Sequence, residues 1–140
     1  MARLTGKSIA ELKEDLPAAA LDFAKRFHTI CVLKDARTVV ASPEGRVYIN
    51  TSGCSALATA GSGDVLAGIL ASLLVQQNHA LHPQPTDRTA AAAVFLHGLL
   101  GELAASQRNE ASVLAGDLIQ TLTFDPLFRG QETLERHSVF

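Results

Sequence analysis

"LATAGSGDVLAGILASLL", residues 57–74, sets two glycines around Ser62, places Asp64 directly after them, and then turns almost wholly apolar. The apolar part reads as a helix from about Ser62 to Gln77. Val65, Leu66, Ile69, Leu70, Leu73 and Leu74 fall on one side and Ala67, Gly68, Ala71 and Ser72 on the other. So few polar positions imply an interior helix with neighbours packed closely against its small face. A helix N-terminus leaves its first amide N–H groups unpaired and carries partial positive charge, so it attracts phosphate. Gly61 and Gly63 let the backbone approach an anion, because no Cβ intervenes. Asp64, on the same turn, is placed to take a proton from an attacking hydroxyl. The spacing alone also describes an ordinary turn with an acidic first-turn residue, so context decides. It is not a Walker A loop, since no Gly-Lys-Ser/Thr follows. Nor is it a dinucleotide fingerprint, since Leu66 stands where a third glycine is required.

Before this stretch, "TICVLK" is a short apolar run with β-branched residues, which predicts an inner strand covered on both sides. "TVVAS" and "RVYIN" flank Pro43, Glu44 and Gly45, so Thr38–Ser42 and Arg46–Asn50 read as a β-hairpin. Lys34 and Arg37 lie at the junction of strand and hairpin. Further upstream, Ser8 with Glu11 has capping-box spacing, and a helix is predicted from near Asp15 to Phe27 with Pro17 in its first turn. Leu16, Ala20, Phe23, Ala24 and Phe27 would then share a face.

After it, "NHALHPQPTD" reads as a loop, followed by a long helix from about Asp87 to Gln107 and a short one from Gly116 to about Leu122. Asp117 suits the first turn of the short helix. The chain has 140 residues, 47% of them hydrophobic and 19% charged, with a formal net charge of -2. These values point to one soluble globular domain without a nucleic-acid surface. The apolar runs are too short, or too interrupted by His97 and Glu102, for a membrane span. Cys31 and Cys54 show no C-x-x-C spacing and read as free thiols in a reducing cytoplasm. His97 reads as a hydrogen-bonded core residue. His79 and His82, in a proline-rich loop without a third ligand, read as surface residues, and no metal-ligand cluster is evident.

The stretches "LKDARTVVASPEGRVYIN", "TSGCSALATAGSGDVLAGILASLL" and "FLHGLLGELAA" resemble ribokinase-fold proteins, specifically the ADP- or ATP-dependent NAD(P)H-hydrate dehydratases. The resemblance runs from "MARLTGKS" to "LAGDLIQTL". Gly-Ser-Gly-Asp is shared across the superfamily, and the lysine at the hairpin entry with His-Gly-x-x-Gly narrows the match. The implied fold class is α/β, ribokinase-like, here a partial domain with a few strands, including a β-hairpin, and several helices. Residues 1–130 would be its C-terminal part and 131–140 a polar tail. Met1 aligns inside the family pattern, after a His-Pro-Gly-Glu segment, so the expectation is a truncated form, a fragment or a chain completed by another.

The resemblance implies dehydration of hydrated NADH or NADPH, by phosphorylation of the added hydroxyl from ADP or ATP with Mg2+ and elimination of phosphate. Lys34, Asp35, Ala36, Arg37, Thr38 and Gly63 match nucleotide contacts. Asp64 matches the base facing the hydrate, and Gly61 completes the anion hole. Two departures stand out. Lys34-Asp35 replaces Lys-Gly, setting a carboxylate near the phosphates, where repulsion weakens binding unless magnesium or Lys34 offsets it. Gly53-Cys54 replaces Gly-Asn, losing an amide donor and acceptor. The alternatives are a kinase of the same superfamily acting on a vitamin precursor or sugar, and a non-catalytic fragment or assembly module. A cytoplasmic homo-oligomer with small-molecule substrates is expected, without nucleic acid or membrane partners.

Overall fold

A computed structural model describes residues 1–124, so the boundary at 130 and the tail 131–140 lie outside the described residues. After a four-residue helix, α1 (Ala2–Thr5), the chain follows the local signals closely. Ser8 Oγ accepts from the Glu11 N–H at 3.2 Å, while the Glu11 carboxylate accepts from the Ser8 N–H at 2.7 Å. This capping box starts α2 (Ile9–Glu14). Asp15 then caps α3 (Leu16–Phe27) by accepting from the Ala18 N–H at 2.9 Å, with Pro17 in the first turn, where no amide hydrogen is needed.

Three short strands follow, β1 (Cys31–Leu33), β2 (Val39–Ala41) and β3 (Val47–Ile49), in an antiparallel sheet ordered β1-β2-β3. The hairpin forms as its turn residues predict, with Val39 opposite Ile49 and Ala41 opposite Val47. Gly45, at φ +98°, supplies the left-handed turn position. The inner strand, however, is β2 and not β1. Cys31 and Leu33 face α3, and Val32 packs on the other side, so β1 is covered on both faces as its composition suggests. Its place at the edge comes from pairing with β2 alone, among the described residues.

Because side chains alternate along a strand, β2 sends Val39 and Ala41 toward Ala20 and Ala24 of α3, and Val40 toward the opposite layer. That layer is built from α4 (Ser62–Asn78) and α5 (Thr86–Gln107), with Leu66, Ala90 and Val94 meeting Val40. A further cluster joins α4 and α5 to α6 (Ala115–Phe124) through Ile69, Ala93, Leu100 and Leu118. The result is helix, sheet, helix in three layers. At the end of α3, Phe27 departs from its expected buried face: it is 45% exposed and stacks on Phe23 with ring centroids 4.5 Å apart.

The small face of α4 also departs from expectation. Ala67, Gly68, Ala71 and Ser72 are exposed, and no atom lies within 4 Å of where a Gly68 Cβ would stand. The apolar side alone meets α5 and α6; no described element covers the other. The core helix is α5: it is long and apolar enough to cross a bilayer, yet half of its apolar window is buried inside the fold. Asp117 works as expected at the start of α6, accepting from the Leu114 N–H at 2.9 Å and pairing with Arg108 at 3.0 Å.

Candidate active site

Gly61 caps α4 at φ +84°, a left-handed conformation that a residue with a Cβ adopts only under strain. No side chain caps this helix. Asp64 N–H and Val65 N–H both donate to the Gly61 carbonyl, at 3.0 and 3.1 Å, while the Gly63 N–H has no partner among the described residues. Asp64 itself is exposed on the first turn. It stands at one end of a groove of about 550 Å³ that runs along α4 past Gly68 and Ser72 to Gln76, with Ile119 and Leu122 of α6 on its far side.

Lys34, one residue beyond β1, reaches this turn. Its Nζ lies 3.0 Å from the position a Gly63 Cβ would occupy, so the missing side chain is what admits the ammonium. Among the described residues Lys34 has no ion-pair partner. A lysine ammonium beside the positive end of a helix is electrostatically unfavourable by itself. The two positive features favour a shared anion between them.

The rest of the hairpin entry behaves differently. Asp35 turns its carboxylate to its own loop and to α2: Oδ1 accepts from the Ala36 N–H at 2.7 Å and Oδ2 pairs with Lys13 Nζ at 3.0 Å. The Ala36 N–H first, and Lys13 second, hold this carboxyl below its ordinary range. The expected repulsion is therefore matched by Lys13, which sequence reasoning passed over. Ala36 and Arg37 are exposed, and the Thr38 carbonyl accepts from the Asn50 N–H at 2.9 Å, extending the hairpin. The structure thus brings Lys34, Gly61, Gly63 and Asp64 together and leaves Asp35, Ala36, Arg37 and Thr38 around them.

The His-Gly-x-x-Gly segment of α5 has a physical explanation. His97, buried, places Nε2 2.9 Å from the Ser62 carbonyl oxygen and 3.1 Å from Ser62 Oγ. A Cβ on Gly98 would stand 2.0 Å from Ser52 Oγ, and one on Gly101 would stand 2.6 Å from Leu57 Cδ2. Each glycine therefore makes room for the chain leading into the turn. Glu102 completes the support by accepting from the Gly53 N–H at 2.6 Å. Ser52, Ser62 and Glu102 were not predicted as site residues. The available signal for Glu102 was a carboxylate within the largely apolar C-terminal half of α5. Cys54 starts a 3-10 turn at Ser55–Leu57 without any side-chain cap.

Burial pushes the His97 imidazole below its ordinary value of 6.5, and the Lys34 charge adds to this against the opposing hydrogen bond to Ser62. The unfolded chain therefore binds a proton that the folded chain resists, so stability present above pH 6.5 is lost as pH falls below it. Urea unfolding should show a His97 contribution of up to about 1.4 kcal/mol per pH unit in that window, absent in His97→Gln.

The family model described as NAD(P)H-hydrate dehydratase matches residues 1–123. The chain belongs to the NAD(P)H-hydrate dehydratase family. It is 44% identical over 124 residues to a bifunctional NAD(P)H-hydrate repair enzyme of Moorella thermoacetica, covering 89% of this chain and 22% of that protein. It is 40% identical over 118 residues to an ADP-dependent (S)-NAD(P)H-hydrate dehydratase of Neisseria meningitidis, covering 84% of this chain and 38% of that one. A Bacillus subtilis ADP/ATP-dependent NAD(P)H-hydrate dehydratase, co-crystallized with ATP/Mg2+, superposes with a TM-score of 0.77 at 33% identity, over 87% of this chain and 42% of that one. A ribokinase-like superfamily protein of Enterococcus faecalis superposes with a TM-score of 0.70 at 32% identity, over 86% of this chain and 38% of that one. The fold is therefore ribokinase-like, and the chain spans less than half the length of these relatives.

Proposed function

We propose that the chain takes part in nucleotide-dependent dehydration of hydrated NADH or NADPH, with the first turn of α4 as the phosphate site. The observation that carries this reading is the convergence of the Lys34 ammonium and the unpaired Gly63 N–H on the N-terminus of a helix, next to an exposed carboxylate. Lys34 and the Gly61–Gly63 backbone hold the nucleotide phosphates. Asp64 accepts the proton of the hydrate's hydroxyl as its oxygen attacks the terminal phosphorus of ADP and AMP leaves. The phosphate ester then loses phosphate as its C–O bond breaks and a proton leaves the adjacent carbon, restoring the ring double bond. The net change converts hydrate and ADP into the reduced nicotinamide nucleotide, AMP and phosphate.

ADP and ATP fit the cradle as anions. Magnesium, which accompanies such phosphates, has no cage of its own here: among the described residues no three His, Cys, Asp or Glu side chains converge. The two free cysteines, Cys31 buried and Cys54 half-buried, suit a reducing compartment such as the cytoplasm.

The test is recovery of reduced-nicotinamide absorbance when the protein meets NADH hydrate, magnesium and ADP or ATP. Recovery that requires nucleotide, with release of phosphate, supports dehydration. A stable phosphorylated product would instead mark a kinase. The Lys13 pairing adds a finer expectation. Asp35→Gly should change ADP affinity by less than about threefold, because its charge is already matched, whereas Lys13→Ala should weaken ADP by up to about fivefold. Titration calorimetry on both variants checks the pair, and marked tightening in Asp35→Gly would restore the repulsion argument.

A further inference from the structure

Within the Gly61–Asp64 turn only backbone bonds act, the Asp64 N–H donating to the Gly61 carbonyl at 3.0 Å, and no side chain caps the turn. Two of its residues are glycines, Gly61 is left-handed, and α4 lacks a side-chain cap. The residue between the glycines, Ser62, is 1% exposed and points into the fold, where its contact is His97, 35 residues away on α5. A carbonyl oxygen only accepts, so the 2.9 Å contact between His97 Nε2 and the Ser62 carbonyl requires the proton on Nε2. The 3.1 Å contact to Ser62 Oγ shares that nitrogen. One imidazole thus grips both the backbone and the side chain of the first residue of α4. The same stretch of α5 receives Ser52 at Gly98 and holds the Gly53 N–H through Glu102, so both ends of the segment entering the turn rest on one helix.

We infer that His97 is a positioning residue: through Ser62 it fixes the turn so that the Gly63 N–H meets the phosphate while the Asp64 carboxylate meets the hydroxyl that attacks it. This rests on the reading of the turn as a phosphate site, and goes beyond it by assigning the buried histidine of α5 a part in anion recognition. It does not touch the reacting atoms. Its effect is on the geometry of groups that do.

The experiment compares His97→Leu, which removes the donor, with His97→Gln, whose side-chain amide nitrogen can take the place of Nε2. Amide exchange is followed at Asp64 and Val65, whose N–H groups bond to Gly61, and at Ile69 farther along the same helix. Calorimetry gives affinities for ADP and for adenosine, which lacks phosphate. In His97→Leu, exchange at Asp64 and Val65 should accelerate about tenfold more than at Ile69, and ADP should bind about tenfold more weakly with adenosine unchanged. His97→Gln should recover most of both. Unchanged exchange at Asp64, equal acceleration at Ile69, equal loss of adenosine, or a glutamine no better than leucine would each overturn the assignment. Should His97→Leu not fold, the glutamine variant against wild type still decides: near-wild-type exchange and ADP affinity uphold the assignment, and loss of both overturns it. Wild-type protein that binds adenosine but gains nothing from phosphate would overturn the phosphate reading itself, while the exchange comparison continues to judge the His97 anchor.

Discussion

Asp64→Asn should lower turnover of the hydrate by about a hundred- to ten-thousand-fold while leaving ADP affinity within about threefold of wild type. The amide has the shape of the carboxylate but cannot accept the hydroxyl proton at neutral pH. The fold has little reason to change. Asp64 is exposed, and its backbone N–H keeps its bond to Gly61 whatever the side chain. The change removes a favourable charge at a helix N-terminus, worth about 0.3–1 kcal/mol, and at the same time removes a negative charge beside the bound phosphate, so the effects on binding oppose each other. Absorbance recovery measures the first quantity and calorimetry the second. A variant that keeps the wild-type rate would remove Asp64 from the role of base.

Gly98→Ala should destabilise the protein by about 3 kcal/mol, lowering Tm by roughly 10 °C. Alanine in mid-helix is intrinsically better than glycine by about 1 kcal/mol, so propensity alone predicts stabilisation. Sterics outweigh it. The new methyl would meet Ser52 Oγ at 2.0 Å, Ser52 Cβ at 2.7 Å and the Ser52 carbonyl carbon at 2.8 Å, and backbone cannot rotate away as a side-chain tip can. Yielding would also strain the Ser52 Oγ hydrogen bond to the Phe95 carbonyl, 2.8 Å long. Thermal unfolding checks this, and a Tm at or above wild type would show that the loop accommodates a Cβ freely. Gly68→Ala provides the contrast: its site is open, so the propensity gain should stand alone at about 1 kcal/mol.

The difference between these two glycines shows where sequence reading stops. Helix starts were legible because their causes are local: Ser8 and Glu11 are three residues apart, and Asp15 precedes its own helix. The hairpin was legible for the same reason, through Pro43 to Gly45. The Gly61–Asp64 turn was visible as a motif, and Lys34 was selected by resemblance, but their meeting spans 29 residues and depends on β1 ending beside α4. Strand order is non-local too, and β1 has an inner strand's composition because both its faces are covered, whichever edge is open. The contacts of Ser52, Gly53 and Ser62 with α5 are longer in range still, and nothing in their spacing announces them. Likewise, Asp35, in the loop after β1, reads as a free charge because its partner, Lys13, lies far upstream on α2.

The central claim is that phosphate binds where Lys34 meets the first turn of α4. The most direct measurement is a backbone-amide NMR titration of the protein with ADP and magnesium, repeated with adenosine. The account predicts that ADP produces its largest shifts at Ser62, Gly63 and Asp64, with a second group at Lys34 and Asp35, and that adenosine leaves the α4 turn undisturbed. Shifts confined to other surfaces, or an α4 turn that responds equally to adenosine, would contradict it.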